Sequence, residues 1–528
     1  MWLHSEIKSP ADIVRYYGKK FGDRIALIAG AEKRTFGELD RTSNQVANAV
    51  AAAGFASDMK IGFLGRNSIF YFEALFGVWK AGAVFLPLNW RLAAPELAVV
   101  IDDARPSLIF VDKEFSDLLV EATRACKWTF TTVEFDSASA AGSLGIDWSS
   151  AAGDADPCIA LPPEQCAVLL YTSGTSGVPK GVQLTHGAFN FMRLSEHLDN
   201  TYSWQDHDVM LMAMPGFHLV GLGLAIQALY NGAGISILAG MDPGSVLEVI
   251  VRDRVTVGVL VPTALQMLLA HEDLNSTDFS SLRLLMYAGS AIDSAVLTQA
   301  IKVMNCDFLQ FYGSSESWTL TLLRPFQHDP DCEEQRNNTC KIDCGGRLRS
   351  CGTPPPLVEL KIVDSYNQEV AVGTVGEILA RSPTLFSGYL NQADTTSRVL
   401  VDGWYKTGDA GFRCPSGLYF LVDRVKDMVV TGGENVYSIE VEQALAKHPD
   451  VIQSAVIGLP DEQWGEKVVA YVTLRTGASA TPAELIAHCR NLIARYKSPK
   501  EVYCVEQLPM TQTGKVKKQE LRRRATSK

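Results

Sequence analysis

Residues 171–181 read YTSGTSGVPKG: three glycines, four Ser and Thr hydroxyls and one lysine, directly after the apolar run AVLL. Such a run following a strand lets successive backbone N–H groups turn inward around an anion, while the hydroxyls add donors or magnesium contacts. Lys180 would supply a mobile positive charge. The spacing from Gly174 and Gly177 does not fit G-x-x-x-x-G-K-[ST], so this is not a Walker loop, and a P-loop ATPase is disfavoured. By itself the stretch also reads as an ordinary surface turn. Other segments have to decide between the two.

Outward from it, residues 59–112 alternate between two periods. MKIGFLGRN and AVFLPLN read as strands, SIFYFEALFGVWKAG between them has apolar residues at helical spacing, and SLIFVD is a further strand. The alternation recurs in AVLLYTSG, GISILAG, TVGVLVPTALQMLLA and RLLMYAGSA. It predicts an α/β fold, with mainly parallel sheets covered by helices over most of the first 420 residues. From 356 to 423 the apolar runs shorten (LVELKIVD, GEILARS, GLYFLVD) between Gly, Asn and Asp turns, which predicts a small antiparallel β subdomain. Farther on, IEVEQALAKH and PAELIAHCRNLIARY read as helices and SAVIGLP, EKVVAYVTLR and EVYCVEQLP as strands, a smaller α+β domain. The expected organisation is a large N-terminal domain over 1–423, a hinge at 424–427 and a C-terminal domain over 428–528. No internal repeat or low-complexity tract interrupts it.

With 528 residues, 47% hydrophobic and 20% charged, the chain is too long for one core and has the composition of a folded globular protein. A formal charge of −11 argues against nucleic-acid affinity, which needs clustered Lys and Arg. An anionic ligand must therefore be held by local devices. The start, MWLHSEIKSPADIV, lacks the basic, apolar and small-residue segments of a secretory signal, so a cytoplasmic protein is expected. The most apolar stretch, 209–240, is long enough for a membrane span. Pro215, His218 and several glycines interrupt it and no basic cluster flanks it, so a buried helix and strand are expected, with at most peripheral membrane contact. Eleven cysteines fit reduced thiols, and Cys332, Cys340, Cys344 and Cys351 lack the paired spacing of a zinc ribbon.

The deciding segments are FYGSSES at 311–317, YKTGDAG at 405–411, DRVKDMVVTGGENV at 423–436 and LPMTQTGKVKKQEL at 508–521. With YTSGTSGVPKG, and in this order, they resemble the motifs of the adenylate-forming superfamily over nearly the whole chain. Within it the sequence is most similar to the acyl-CoA synthetases, fatty-acid CoA ligases in particular. The resemblance implies an ATP-dependent reaction in two steps, an acyl-adenylate formed with loss of pyrophosphate and then a thioester formed with loss of AMP. ATP and Mg2+ are the implied cofactors, CoA the co-substrate and fatty acid metabolism the setting. A carboxylate attacking the α-phosphate in line needs positioning and charge stabilisation, not a protein nucleophile. The absence of a G-x-S-x-G elbow agrees with this.

Residue by residue, the resemblance gives Thr172, Ser173, Gly174, Thr175, Ser176, Gly177 and Lys180 to the nucleotide phosphates. Thr172 and Glu316 are directed to magnesium, whose usual shell is carboxylate, water and phosphate oxygen. Tyr312 resembles the aromatic residue that stacks on adenine, beside Gly313, Ser314 and Ser315, the last standing where the family commonly has threonine. Asp409 resembles the carboxylate that accepts from both ribose hydroxyls. Arg424 would donate to ribose or phosphate, and Lys426 stands at the family's hinge. Lys515 resembles the catalytic lysine between substrate carboxylate and α-phosphate. Gly432, Gly433 and Glu434 resemble the loop lining the pantetheine passage, where glycine lets backbone approach a narrow ligand. Alone, these are a solvated glutamate, a half-buried tyrosine, a turn aspartate and a lysine of the basic tail GKVKKQELRRR.

MPGFHLVGLG at 214–223 resembles the start of the family's acyl-pocket helix. Phe217 and His218 are then expected near the carboxylate, His218 in a catalytic role, with Gly289, Tyr312 and Gly313 along the pocket. Amino-acid-activating relatives have an aspartate after the corresponding phenylalanine; with His218 there an α-ammonium lacks its counter-ion, and an apolar acid is expected. The alternatives are an adenylating enzyme that hands its acyl group to a carrier protein, a luciferase-like oxidative enzyme, and a ligase for an aromatic or steroid-type acid. A catalytically silent scaffold would have lost Lys515, Glu316 or Asp409, and all three are present. The sequence runs only from Lys515 to Lys528 beyond that motif, so a fused carrier domain is not expected, and a homodimer stays open.

Overall fold

The computed structural model describes residues 4–55, 57–137, 145–150, 152–172, 179–329, 346–432, 434–510 and 516–526. They form two compact units, Met1–Leu360 with Ala380–Tyr405, and Lys361–Leu379 with Lys406–Lys528.

The first unit is built on two large sheets. One has eight strands in the order Trp318–Leu323, Asp307–Ser314, Leu284–Ala288, Val257–Leu260, Val209–Met212, Gly234–Ile237, Ile25–Ala29, Glu32–Thr35. Its six inner strands are parallel and its two edge strands antiparallel to their neighbours. The other has seven, in the order Gly388–Tyr389, Lys180–Thr185, Cys166–Thr172, Val84–Pro87, Lys60–Leu64, Leu108–Asp112, Thr131–Phe135. Five of these are parallel, and Lys180–Thr185 and Gly388–Tyr389 close one edge with antiparallel pairings. The inner strands are buried on both faces, which is why they read as continuous apolar runs without alternation.

The helix Ile69–Lys80 packs against strands of both sheets and every one of its residues is buried. Its sequence IFYFEALFGVWK is apolar all round, as a core helix must be. Ser68 starts it, its Oγ accepting the Tyr71 N–H at 3.1 Å. The two charges are neutralised locally: Glu73 by Arg34 at 3.2 Å, and Lys80 by Asp40 at 2.6 Å with Asn44 Oδ1 at 2.7 Å. Trp79 donates Nε1–H to the Ala167 carbonyl at 2.8 Å. Each buried Phe or Leu here contributes about 1.5–3 kcal/mol.

The apolar stretch 209–240 resolves into the strand Val209–Met212, the helix Leu219–Tyr230 and the strand Gly234–Ile237. Among the described residues no helix is long and apolar enough to cross a membrane. Within the first unit Leu400 and Val401 pair antiparallel with Tyr405 and Trp404, and within the second Tyr419–Arg424 pairs antiparallel with residues 409–413.

Within the second unit a five-stranded sheet runs in the order Glu434–Val436, Val429–Thr431, Gly465–Leu474, Val451–Asp461, with Glu501–Cys504 joined parallel to Gly465–Leu474. The helices Ser438–Ala446 and Pro482–Leu492 cover one face through Val441, Leu445, Leu485 and Cys489. Leu508 and Leu521 cover Ala455, Ile457 and Val469 on the other. The helical reading of PAELIAHCRNLIARY overshoots, because Ile493 turns to an extended conformation and packs into the core.

Candidate nucleotide and acid site

The glycine-rich stretch joins two antiparallel strands, Cys166–Thr172 and Lys180–Thr185, with Thr172 opposite Lys180 and Tyr171 opposite Gly181. Ser173, Gly174, Thr175, Ser176 and Gly177 lie outside the described residues. The chain returns into the strand Lys180–Thr185 instead of a helix, so no helix N-terminus of the kind that stands behind a Walker loop follows it directly.

Lys180 Nζ lies over the ring of Tyr389, 4.8 Å from its centroid. The Tyr389 hydroxyl in turn donates to Glu316 Oε1 at 2.9 Å. Tyr389 reaches both because Gly388–Tyr389 adds to the edge of Lys180–Thr185, Tyr389 opposite Val182. Burial, and then the adjacent Glu316 charge, push the phenol's pKa up, so it remains an O–H donor. Sequence reasoning missed Tyr389. The only local signal is the Gly388-Tyr389 pair, and its partners are far away in the chain.

Glu316 stands in a tight turn. The strands Asp307–Ser314 and Trp318–Leu323 pair antiparallel with a register shift between Tyr312 and Gly313. Trp318 has a left-handed φ of 57°. A Cβ at Gly313 would lie 1.6 Å from the Trp318 carbonyl oxygen, so position 313 admits only glycine. Ser314 N–H donates to Ser317 Oγ at 3.1 Å and Ser317 N–H to the Ser314 carbonyl at 3.2 Å. This turn leaves Ser315 and Glu316 half-exposed and Tyr312 buried.

Strand direction gathers the predicted acid residues. Asp307–Ser314, Leu284–Ala288, Val257–Leu260 and Val209–Met212 are parallel neighbours, so the segments after them leave the sheet on one edge. Those segments carry Ser315 and Glu316, Gly289, Val261, and Met214–His218. Carboxyl ends of parallel strands are where α/β sheets bind ligands. Phe217 is buried, its ring 4.6 Å from that of His218 and 6.0 Å, edge-on, from that of Trp90. Gly289 is exposed with a φ of 96°, and a Cβ there would meet only Val261 Cγ1 at 3.5 Å.

In the second unit Asp409 and Arg424 face each other across two strands, Asp409 Oδ1 2.7 Å from Arg424 Nε. Thr407 fixes both: its Oγ1 accepts the Asp409 N–H at 3.0 Å and its carbonyl accepts from Arg424 at 3.3 Å. Gly408, at φ 69°, makes the bend and donates its N–H to Glu377 Oε1 at 3.2 Å. Lys426 is exposed in the short turn Val425–Asp427, whose Asp427 pairs with Arg522 at 3.0 Å. Gly432, at φ 60°, donates its N–H to the Trp464 carbonyl at 2.7 Å, and a Cβ there would touch the Trp464 ring at 2.9 Å. Glu434 is exposed beside it, while Gly433 and Lys515 lie outside the described residues. Met510 and Val516, either side of the Lys515 stretch, form an antiparallel bridge.

Among the described residues no group of three His, Cys, Asp or Glu side chains could hold a metal ion. Thr172 and Glu316 offer a hydroxyl and a half-exposed carboxylate, a hard oxygen set with too few members for a cage. That set fits magnesium, which is commonly held by one or two carboxylates with nucleotide phosphates and water.

Residues 14–390 match the AMP-binding enzyme family and residues 440–515 the AMP-binding enzyme C-terminal domain. A fatty acid–[acyl-carrier-protein] ligase, ScoC, of Streptomyces coeruleorubidus is 33% identical, covering 99% of this chain and 97% of that protein. A feruloyl-CoA synthase of an Amycolatopsis species is 32% identical, over 94% of this chain and 95% of its own. The ATP-bound crystal structure of MatB from Rhodopseudomonas palustris superposes with a TM-score of 0.85 at 27% identity, covering 97% of this chain and 98% of MatB.

Proposed function

The chain belongs to the AMP-binding enzyme family, and from that premise we propose that it is an ATP-dependent acid–thiol ligase. It joins an apolar carboxylic acid, a fatty acid first, to CoA through an acyl-adenylate, with release of pyrophosphate and then AMP. The observation that carries this reading is the Lys180–Tyr389–Glu316 array, a cation and a carboxylate ordered by one phenol, in the unit whose strands bring Phe217 and His218 to a carboxyl edge.

In this mechanism the carboxylate of the acid attacks the α-phosphate while the bond to the leaving pyrophosphate breaks in line. Lys180 neutralises phosphate charge, Tyr312 takes the adenine, and Asp409 with Arg424 takes the ribose. Lys515 draws the carboxylate and the α-phosphate together. Magnesium held by Glu316 and Thr172 would neutralise the phosphates. Phe217, His218, Gly289 and Gly313 form the acid end of the pocket, with His218 beside the reacting carboxylate. In the second step the CoA sulfur, approaching past Gly432, Gly433 and Glu434, attacks the adenylate carbonyl and AMP leaves. The domains divide at 423, the hinge is 424–427 about Lys426, and the C-terminal domain is 428–528. The protein acts in the cytoplasm in fatty acid metabolism, and a homodimer is the assembly to look for.

A second reading keeps the first step and changes the acceptor to a carrier-protein thiol. The likeness to ScoC over nearly the full length of both chains favours it. The test is pyrophosphate release with short, medium, long, aromatic and steroid-type acids, with CoA, with a phosphopantetheinylated carrier protein, or with neither. Thioester formed with free CoA supports the first reading and thioester formed only on the carrier the second. No acid-dependent pyrophosphate release with any acid would overturn both.

A further inference from the structure

The loop that carries Phe217 and His218 is gripped by side chains from the other sheet. Asn67 is buried, and both ends of its amide are engaged. Its Nδ2 donates to the carbonyls of Met214 and Leu238, each at 3.0 Å, and its Oδ1 accepts the Gly216 N–H at 2.8 Å. Tyr71, also buried, donates its hydroxyl to the Gly216 carbonyl at 2.8 Å. Side chains thus take both backbone polar groups of Gly216. A Cβ at Gly216 would lie 2.6 Å from the Tyr71 ring, so glycine is what lets that ring close on the loop.

The two grips share one origin. Asn67 follows the strand Lys60–Leu64 of the seven-stranded sheet, and Tyr71 lies in the first turn of the fully buried helix Ile69–Lys80. Ser68, capping that helix through the Tyr71 N–H, sets their spacing. The groups they hold follow Val209–Met212 and Gly234–Ile237, neighbouring strands of the eight-stranded sheet. Buried loop carbonyls and N–H groups need partners. Here those partners come from a rigid element outside the loop's own sheet, so the loop is located by that helix. The next two residues along are Phe217 and His218.

We propose that Asn67 and Tyr71 are positioning residues for the acid substrate: through Gly216 they fix where Phe217 and His218 meet its carboxylate end. The proposal rests on the acid-ligase reading above. Asn67→Asp keeps the shape and the acceptor for Gly216 but faces two carbonyls with an oxygen. Tyr71→Phe removes one hydroxyl and leaves the Gly216 carbonyl unpaired. A small misplacement of the groups that meet the acid weakens its productive binding far more than it lowers stability.

Steady-state kinetics of pyrophosphate release test it, with acid and ATP varied separately. The control is Tyr230→Phe, which loses a buried hydroxyl bonded to Asn190 Oδ1 at 3.2 Å at the far end of the helix Leu219–Tyr230. Expected are an acid KM raised about tenfold in Asn67→Asp and about threefold in Tyr71→Phe, with the ATP KM held within about twofold. Tyr230→Phe should lower the melting temperature and leave both KM values in place. Should Asn67→Asp fail to fold, Tyr71→Phe carries the test. Acid and ATP KM values moving together, or an unmoved acid KM beside a lowered melting temperature, would reduce the pair to a structural staple and overturn the proposal. A parent enzyme that no acid activates overturns the ligase reading itself; an active parent with unmoved variants overturns the positioning role alone.

Discussion

The Tyr389 hydroxyl donates to Glu316 Oε1 at 2.9 Å across 73 residues of sequence, while the face of the same ring carries Lys180 at 4.8 Å. One aromatic side chain thereby orients an anion with its edge and a cation with its face, using the two polar properties a phenol has. Tyr389 remains protonated because burial and the neighbouring carboxylate both oppose its ionisation. It therefore holds Glu316 at any pH near neutrality.

Tyr389→Phe keeps the ring beneath Lys180 and removes only the donor. Adenylate formation should fall about tenfold, the worth of one hydrogen bond to a charged group. The magnesium concentration for half-maximal rate should rise while the ATP KM changes little. Tyr389→Ala should raise the ATP KM as well, because Lys180 then loses its platform. Pyrophosphate exchange titrated with magnesium and with ATP checks both.

Lys515→Ala should abolish acyl-adenylate formation and largely spare thioester formation from supplied acyl-adenylate, since its proposed task ends once the carboxylate has reached phosphorus. Separate assay of the half-reactions decides the matter. Equal loss in the two refutes the assignment.

Asp409→Asn preserves the size of the side chain but halves its acceptor capacity and removes the charge that pairs with Arg424 at 2.7 Å. The ATP KM should rise about tenfold with the acid KM unmoved, a loss typical of a charged hydrogen bond. Arg424→Ala should give a smaller rise of the same kind, because Thr407 still orients the Asp409 backbone at 3.0 Å. Nucleotide binding measured by calorimetry without acid provides the check.

Glu196 is buried, and Asn231 donates to its Oε1 at 3.1 Å. Burial pushes its pKa from the ordinary 4.5 up to about 8, against weaker opposing help from the Gln227 and Asn231 amides and the Arg193 charge. The unfolded chain releases this proton near pH 4.5 and the folded chain holds it until about 8. The folded state therefore binds more protons in that window, and stability falls as pH rises through it. Glu196→Gln keeps the shape with no charge to bury. Its melting temperature should match the parent near pH 4 and exceed it by a margin that grows to about pH 8, roughly 5 kcal/mol of stability for a shift of this size. Melting curves of both proteins over that range measure the margin.

Much of the fold was legible in the chain. The continuous apolar runs of strands such as Leu108–Asp112 and the helical spacing of Ile69–Lys80 are local properties, and the structure has those elements where the periodicity put them. The edges were less legible. Lys180–Thr185 and Trp318–Leu323 run antiparallel to their neighbours, and side-chain periodicity does not distinguish the two pairings in a strand buried on both faces. The motif residues could be named because each motif is contiguous: Gly313 and Glu316 lie within one turn, and Thr407 and Asp409 within one bend.

By itself the sequence determined the order of elements, the family and the short segments that carry the expected chemistry, because hydrophobic period and motif spacing act over a few residues. Only the tertiary structure decided that Tyr389 would stand between Lys180 and Glu316, and that Asn67 and Tyr71 would grip Gly216 across 149 and 145 residues. Those partnerships depend on which strands become neighbours and which way they run. That outcome is set by the packing of whole sheets about a shared buried helix, and no single stretch of the chain contains it.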